Sequence, residues 1–176
     1  MKKLLVLMLL VLSMLTGACL SDAPKEQPKE PEPVKQQTFI IYRAAADGSE
    51  KLLPEKITID DNGREIAYNA LVALVGTKPQ SARMDDVIPI GTKVRGLKVG
   101  EDGTAYADFS SELAKKSQGS YNEFMIAYVI TNTLTEFPAI KRVQILIEGE
   151  KVITLGGHMD LEDPLERNTT LLEQER

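Results

Sequence analysis

The sequence has little of what many functional sites need, since its 176 residues include no tryptophan, one cysteine and one histidine. The single cysteine, Cys19, can form neither an intrachain disulfide nor the paired thiolates of a redox or zinc motif. The single histidine, His158, cannot build a histidine-rich metal cluster. With five Tyr and four Phe, aromatic surfaces for stacking sugar rings are also scarce. These absences favour a protein without a metal, a cofactor or a disulfide framework.

The balance of charge argues against nucleic acid as a partner. Lys and Arg number 21 against 26 Asp and Glu, which gives a formal net charge of −5 at pH 7. A protein that neutralises phosphates needs an excess of basic residues. Hydrophobic residues make up 43% of the chain and charged residues 27%, and this composition at this length fits one folded domain with appendages.

The N-terminal residues have the order of a bacterial lipoprotein leader. Lys2 and Lys3 precede an apolar run over residues 4–15, and Thr16-Gly17-Ala18 then leads into Cys19. Because a bilayer span takes about 20 residues, a transmembrane helix is the weaker alternative, as is a secreted protein with a stray cysteine. We predict that residues 1–18 form a lipoprotein signal peptide and that Cys19 is lipidated. Its acyl chains would anchor the chain outside the cytoplasm, on the outer face of the cytoplasmic membrane.

Composition divides the predicted mature chain into three parts. Residues 19–37 form a linker with four prolines among Lys, Glu and Gln, which cannot bury a core and favours extended conformations. It is either a spacer that lets the domain reach a partner or a solubilising tether, and both interpretations stay open. Residues 38–168 have the composition of a folded domain. Residues 169–176 form a polar tail that we expect to fray.

Hydrophobic periodicity predicts an α+β fold for the domain, with a mixed β-sheet and two main helices packed on one face. Asp102-Gly103 predicts the tight turn of a hairpin, and Pro54 predicts that its strand lies at a sheet edge. Ser120 and Glu123 have the spacing of a capping box at the start of the second main helix. The predicted elements are strands over 38–43 and 51–59, a helix over 64–75, strands over 93–99 and 104–109, a helix over 121–137, and strands over 143–148 and 152–155.

Four blocks of residues in the domain keep a particular order and spacing. They are ALVALVGTKP at 70–79; IPIGTKV at 88–94 with VGEDGTA at 99–105 and ADFSSEL at 107–113; ITNTLTEFP at 130–138 with VQILIEG at 143–149; and GGHMDL at 156–161 followed by Pro164-Leu165. Together these blocks resemble the GerMN domain, a module of sporulation and spore germination. The resemblance covers residues 38–168 as a single copy of that domain.

The resemblance implies a small α/β domain similar to the ring-building modules of secretion machines, and it implies no catalytic residues. In spore-forming bacteria, GerMN lipoproteins are associated with a ring-like channel complex between mother cell and forespore. The best-known member has two tandem GerMN domains, whereas residues 38–168 have room for one. GerMN domains also occur in envelope lipoproteins of bacteria that need not form spores.

Two groups of polar residues have a catalytic interpretation beside a structural one. His158 and Asp160 could form an acid–base pair, but no GxSxG pattern or other nucleophile signature accompanies them, so we favour residues of a turn. Asp108 and Ser110 stand at a predicted strand-to-helix junction, where a carboxylate could serve an enzyme. We favour a pair that caps the helix, because both side chains can accept from its free N–H groups.

Two clusters of charged residues also have two interpretations each. Acidic side chains gather near the C-terminus, and a cation site is the functional interpretation, but we favour a solvated acidic face. The pair Asp85-Asp86 is interpreted in the same way. A basic predicted strand could bind an acidic partner, or its charges could protect a sheet edge. The acidic cluster is Asp160, Glu162, Asp163 and Glu166, and the basic strand carries Lys93, Arg95 and Lys98.

These observations predict a non-enzymatic, membrane-anchored lipoprotein whose GerMN-like domain mediates protein–protein assembly in the cell envelope, with sporulation or spore germination as the implied process. We expect the lipid on Cys19 to meet the membrane and the domain to meet a protein or a second copy of the chain. Sheet edges are the expected contact surface, because their unpaired backbone groups can accept an added strand. The alternative is a general envelope lipoprotein that binds cell-wall glycan or a small ligand, or an accessory of a cell-wall hydrolase.

Overall fold

The computed structural model describes residues 35–115 and 119–173. The predicted signal peptide, the predicted lipidation site Cys19 and the predicted linker up to residue 34 lie outside the described residues. All described residues belong to one unit of the chain, which has its own hydrophobic core.

The order of elements along the described chain begins, as predicted, with hairpin, helix, hairpin, helix and strand. The strands and helices are β1 Gln36–Ala45, β2 Leu52–Asp60, α1 Ile66–Gly76, β3 Met84–Asp85, β4 Val94–Val99, β5 Thr104–Phe109, α2 Glu112–Lys115, α3 Ser120–Leu134, β6 Arg142–Ile147, β7 Glu150–Lys151, β8 Leu165–Glu166 and a final 3-10 turn Thr169–Leu171. Within the described part of the chain, no helix has both the length and the apolar content that crossing a membrane requires.

The fold class is α+β, as predicted, but the strands form two sheets instead of one. The first sheet has the order β2-β1-β3, and the second has the order β4-β5-β6-β7 with β8 also on β6. The second sheet is mixed, because β5 and β6 are parallel and its other strand pairs are antiparallel. The sheets stay separate because the free side of β1 is occupied. The N–H of Tyr42 there donates to the hydroxyl of Thr133 on α3 at 2.9 Å, and β3 pairs with the end of β1.

The main helices α1 and α3 supply the centre of the core. Helix α1 contacts β1 and β4, and α3 contacts β1 and β6, so both helices touch both sheets. The apolar run over 124–130 predicts a buried helix, and this is confirmed, since Met125, Ile126 and Ile130 are each at most 1% exposed. Phe109 of β5 joins the same apolar cluster. Burying one such large side chain stabilises the fold by about 1.5–3 kcal/mol.

The turn between β4 and β5 and the edge position of β2 follow the predictions. Gly103 has a φ of +80°, a conformation that residues with a Cβ rarely adopt, and Asp102 accepts from the N–H of Thr104 at 3.0 Å. A Cβ on Gly103 would also lie 3.3 Å from the carbonyl oxygen of Ala139. Strand β2, which contains Pro54, is the outer strand of the first sheet, where a missing N–H breaks no ladder.

Three local predictions are wrong. The capping box of α3 does not form, because the helix begins after Gly119 without a side-chain cap and the carboxylate of Glu123 binds a distant loop instead. Residues 152–155 form no strand, and the return strand β7 ends before them. The tail does not fray from its start, because residues 169–171 form a turn in which Leu171 is buried against the core.

A buried ion pair fixes α1 to the first hairpin. The Arg43 guanidinium of β1 is 1% exposed and donates to the carboxylate of Glu55 on β2 at 2.9 Å. Its other N–H groups donate to the carbonyl of Leu74 in α1 at 2.9 Å and to the carbonyl of Thr77 at 3.0 Å. Glu55 also accepts from the N–H of Gln80 at 2.6 Å. The pair therefore ties the end of α1, and the chain that follows it, to β1 and β2.

We expect Arg43→Met to lower the free energy of unfolding by about 3–5 kcal/mol, because it leaves the buried Glu55 carboxylate and two carbonyls without their partner. Urea unfolding followed by circular dichroism measures the change. The control is Arg83→Met, which breaks an exposed ion pair with Glu173 and should cost about 0–1 kcal/mol. Equal losses in the two variants would contradict the prediction.

Candidate functional site

Among the described residues, strand β4 is an outer strand of the second sheet and pairs with β5 alone. The N–H of Gly100 donates to the carbonyl of Thr104 at 2.8 Å, so these two residues form a hydrogen-bonded pair between β4 and β5. Because antiparallel strands alternate between bonded and non-bonded pairs, the backbone N–H and C=O groups of Leu97 and Val99 then face away from β5. These outward groups can bond to an added strand.

A groove lies between β4 and helix α1, made of two adjoining cavities that share Arg64 and Tyr68. The cavity at the Val99 end has a volume of about 620 Å³. Val72 of α1 is 41% exposed and Val99 is 40% exposed, although both side chains are apolar. Exposed apolar side chains that line a groove are typical of a contact surface. We call this the β4 groove, lined by Arg64, Tyr68, Val72, Lys93, Leu97, Lys98 and Val99.

The β4 groove is basic, in contrast to the acidic protein as a whole. Lys93 and Lys98 are exposed, and no ion pair engages them within residues 35–115 and 119–173. The guanidinium carbon of Arg64 lies 5.2 Å from the centre of the Tyr68 ring, a cation–π distance. Glu65 is the acidic residue of the lining. The groove therefore presents three cations against one carboxylate.

Arg95 and Asp108 have structural roles instead. Arg95 donates to the carboxylate of Asp108 at 3.1 Å and also pairs with Glu148. Asp108 accepts in addition from the N–H of Gly149 at 2.8 Å. The capping role predicted for Asp108 is therefore wrong, because Arg95 lies across from it in the sheet and draws the carboxylate away from α2. Its predicted companion Ser110 accepts from the N–H of Lys93 at 3.0 Å, and its hydroxyl hydrogen-bonds to the carboxylate of Glu112 in α2.

His158 and Asp160 do not meet as an acid–base pair. The Nδ1 of His158 lies 3.3 Å from the carboxylate of Glu123 on α3. Asp160 accepts from the N–H of Glu162 at 2.9 Å, two residues further on, which is the geometry of a local turn. The structure thus places both residues in the turns that the favoured interpretation expects.

The buried carboxylate of Glu123 organises the loop that carries His158. Its oxygens accept from the N–H of Leu155 at 2.7 Å, from the N–H of His158 at 2.8 Å and from the hydroxyl of Thr154. Burial raises the pKa of this carboxyl, but these hydrogen bonds and one from the N–H of Gly156 lower it more, to about 2. Glu123 is therefore charged at neutral pH and holds residues 154–158 against α3.

The acidic residues separate into exposed and buried ones. Asp86 is only 17% exposed, lies 3.7 Å from the buried guanidinium of Arg43 and pairs with Lys78 at 3.1 Å. The solvated-face interpretation is therefore wrong for Asp86, because Arg43 attracts its charge. Among the described residues, no three His, Cys, Asp or Glu side chains are close enough to hold one metal ion. The solvated-face prediction is confirmed for the exposed residues Asp85, Asp160, Glu162, Asp163 and Glu166.

The helix side of the β4 groove was not predicted as part of a site. Sequence pattern identifies sheet edges as contact surfaces, and β4 is one of them. The available signal on the helix was the apolar or aromatic pair Tyr68 and Val72, which are four residues apart and share one helix face. By the same spacing, that helix face could equally have been buried in the core. Only the fold shows that it lies beside Leu97 and Val99.

The fold and the groove define a class, a small α+β domain that presents an open sheet edge beside a helix. The family model described as Germane, sporulation and spore germination, matches residues 40–153. The chain therefore belongs to the GerMN domain family, as its four sequence blocks indicate.

Individual proteins of known name agree with this membership. The chain is 32% identical over 131 residues to the spore germination protein GerM of Bacillus subtilis, an alignment that covers 64% of this chain and 35% of GerM. This chain thus spans about a third of the length of that relative. The first GerMN domain of GerM has a TM-score of 0.63 to this structure at 26% identity, covering 74% of this chain and 98% of that domain.

A more distant structure shares the fold alone. It is a Clostridium perfringens protein described as a lipoprotein, with a TM-score of 0.52 at 20% identity. The superposition covers 78% of this chain and 93% of the Clostridium protein. The α+β architecture is thus common to proteins whose sequences have diverged widely.

We expect Glu123→Gln to lower the free energy of unfolding by about 1–3 kcal/mol at pH 7, because the neutral amide offers one acceptor oxygen to donors that now share two. The folded-state pKa of about 2 lies below the ordinary value of 4.5. The stabilisation by the carboxylate is therefore present above pH 4.5 and is lost as the pH falls towards 2.

Urea unfolding at a series of pH values measures this effect. The difference between wild type and Glu123→Gln should shrink between pH 4.5 and pH 2. The matched control is Glu162→Gln, which removes a carboxylate from an exposed position near the same loop and should change stability little. A difference that stays constant with pH would contradict the role assigned to Glu123.

Proposed function

We propose that the protein is a lipoprotein, anchored through Cys19, whose GerMN domain holds together a protein assembly in the cell envelope during sporulation or spore germination. The observation that carries the proposal is the β4 groove, an open strand edge beside exposed apolar side chains. It occurs in a domain whose family is that of sporulation and spore germination. In this proposal the domain provides a contact surface and does not catalyse a reaction.

Support for a contact role comes from where the reactive side chains lie. The single histidine, His158, borders the carboxylate of Glu123, whose hydrogen bonds are taken by the loop. Asp108 is engaged by Arg95 and by the N–H of Gly149. The polar groups with catalytic interpretations therefore have structural partners, whereas the β4 groove has unpaired backbone groups and cations.

Support for the location comes from the order of the first residues. Two lysines, an apolar run and Thr16-Gly17-Ala18 precede Cys19, which is the order of a lipoprotein leader. A structural neighbour from Clostridium perfringens is also described as a lipoprotein. Anchored in this way, the domain faces proteins on the outer side of the cytoplasmic membrane.

Chemical crosslinking of the full-length lipidated protein in its native membranes tests the assembly. We expect mass spectrometry to identify other envelope proteins, or ladders of the chain itself, attached to the domain. Comparison of growing and spore-forming cells shows whether the assembly belongs to sporulation. Recovery of cell-wall glycan fragments without any attached protein would overturn the proposal and favour the glycan-binding alternative.

We expect Cys19→Ser to move the protein from the membrane fraction to the soluble fraction, because two acyl chains supply stable anchoring and serine carries neither. Mass spectrometry of the N-terminal peptide of the wild-type protein should show an acylated Cys19. Cys19→Ser protein that still sediments with membranes after a salt wash would contradict the anchor.

A further inference from the structure

We infer that the β4 groove binds an extended, acidic segment of a partner protein, which joins the second sheet as a strand beside β4. The inference rests on the proposed function and deepens it by naming the chemistry of the partner. Three properties of the groove carry it: the outward backbone groups of β4, the excess of cations, and the alternation of apolar and basic side chains around the edge.

The backbone of β4 offers directional binding. Leu97 and Val99 each present an N–H and a C=O away from β5, so an added strand can form a ladder of hydrogen bonds along this edge. The opposite edge of the same sheet is less accessible, because β7 and β8 already pair with the two ends of β6. Strand β4 is therefore the longer open edge of the second sheet.

The charge of the groove selects the partner. The lining of the groove contains three basic residues, Lys93, Lys98 and Arg64, and one acidic residue, Glu65. The protein as a whole has a net charge of −5. A local excess of cations on an acidic protein attracts carboxylates and repels basic segments. An acidic segment therefore gains Coulomb attraction in addition to its backbone hydrogen bonds.

The side chains around β4 predict the pattern of that segment. Tyr68 of α1, Leu97 and Val99 line one cavity and form an apolar wall on the α1 side of the edge. On the outer face of the sheet, Lys98 and Tyr106 line a third cavity of about 530 Å³, whose acidic residue Asp108 is paired with Arg95. Because successive side chains of a strand point to opposite faces, an added strand meets the apolar wall with one set and Lys98 with the other. Alternating apolar and acidic residues fit both faces.

A second copy of β4 is a poor occupant of this edge. In the antiparallel register that pairs Leu97 with Val99 of a second copy, the two Lys98 side chains lie directly opposite each other. Like charges across a strand pair are destabilising. The edge is therefore suited to a different strand with the opposite charge.

A peptide titration tests the predicted chemistry. The probe is a fluorescein-labelled peptide Val-Glu-Val-Glu-Val-Glu, compared with Val-Lys-Val-Lys-Val-Lys, and the receptor is the full-length lipidated protein in detergent micelles. Fluorescence anisotropy reports binding, with protein-free micelles as the blank. We expect the glutamate peptide to bind about tenfold more tightly than the lysine peptide, and addition of salt to reduce this preference.

Paired variants test the location. We expect the double variant Lys93→Glu/Lys98→Glu to weaken binding of the glutamate peptide about tenfold. The control is the double variant Lys56→Glu/Lys151→Glu, which makes the same change of charge at exposed positions outside the groove. We expect the control to change binding little. Val99→Pro removes one outward N–H and should also weaken binding. Its control is Thr58→Pro, at an exposed position of edge strand β2. Circular dichroism confirms that each variant is folded.

Equal binding of the two peptides, or equal effects of groove and control variants, would overturn the inference. A photocrosslinking residue, p-benzoylphenylalanine, in place of Val99 gives the second readout in native membranes. Attachment to an acidic segment of another protein supports the inference, whereas attachment to a second copy, to residues 20–34 of the same chain or to glycan overturns it. Chemical crosslinking of the whole protein could recover envelope proteins that photocrosslinking from position 99 does not. That result would overturn the inference about the β4 groove and leave the proposed function in place.

Discussion

The guanidinium of Arg43 bonds from within the core to β2, to the last turn of α1 and to the chain beyond it. A charge that is 1% exposed is tolerable only when its N–H groups all find partners. The carboxylate of Glu55 and the carbonyls of Leu74 and Thr77 are therefore fixed relative to one another. Because α1 brings its C-terminal carbonyls to Arg43, the end of the helix that lines one side of the β4 groove is tied to the first sheet. The β4 groove thus depends on an interaction that lies outside it.

Glu123 follows the same physical rule at the other main helix. Its carboxylate is buried, and backbone N–H groups of residues 154–158 compensate for the lost water. In both cases a charged group that could be mistaken for a reactive one holds two parts of the chain together. Polar chemistry in the interior of this domain is therefore structural, and the surface is left to carry the interactions with partners.

The charges of the β4 groove can both protect the strand edge and select a partner strand. Charged residues on an edge strand protect it against unspecific pairing, and Lys98 can serve that purpose. The same charge beside the exposed side chain of Val99 is the feature that we infer to make the edge selective for an acidic strand. An edge of this kind can pair with a strand of opposite charge and resist pairing with its own copies, because like charges repel.

The sequence by itself determined the family, the α+β class, the position of β2 at an edge and the turn at Gly103, because blocks of residues, hydrophobic period and turn chemistry are local properties. It did not determine that the strands form two sheets, that Glu123 binds a loop more than 30 residues away, or that Asp86 is drawn to Arg43. Those outcomes depend on which groups meet across the core. The groove itself joins residues 64–72 to residues 93–99, and only the tertiary packing of α1 against β1 and β4 decided that these segments lie side by side.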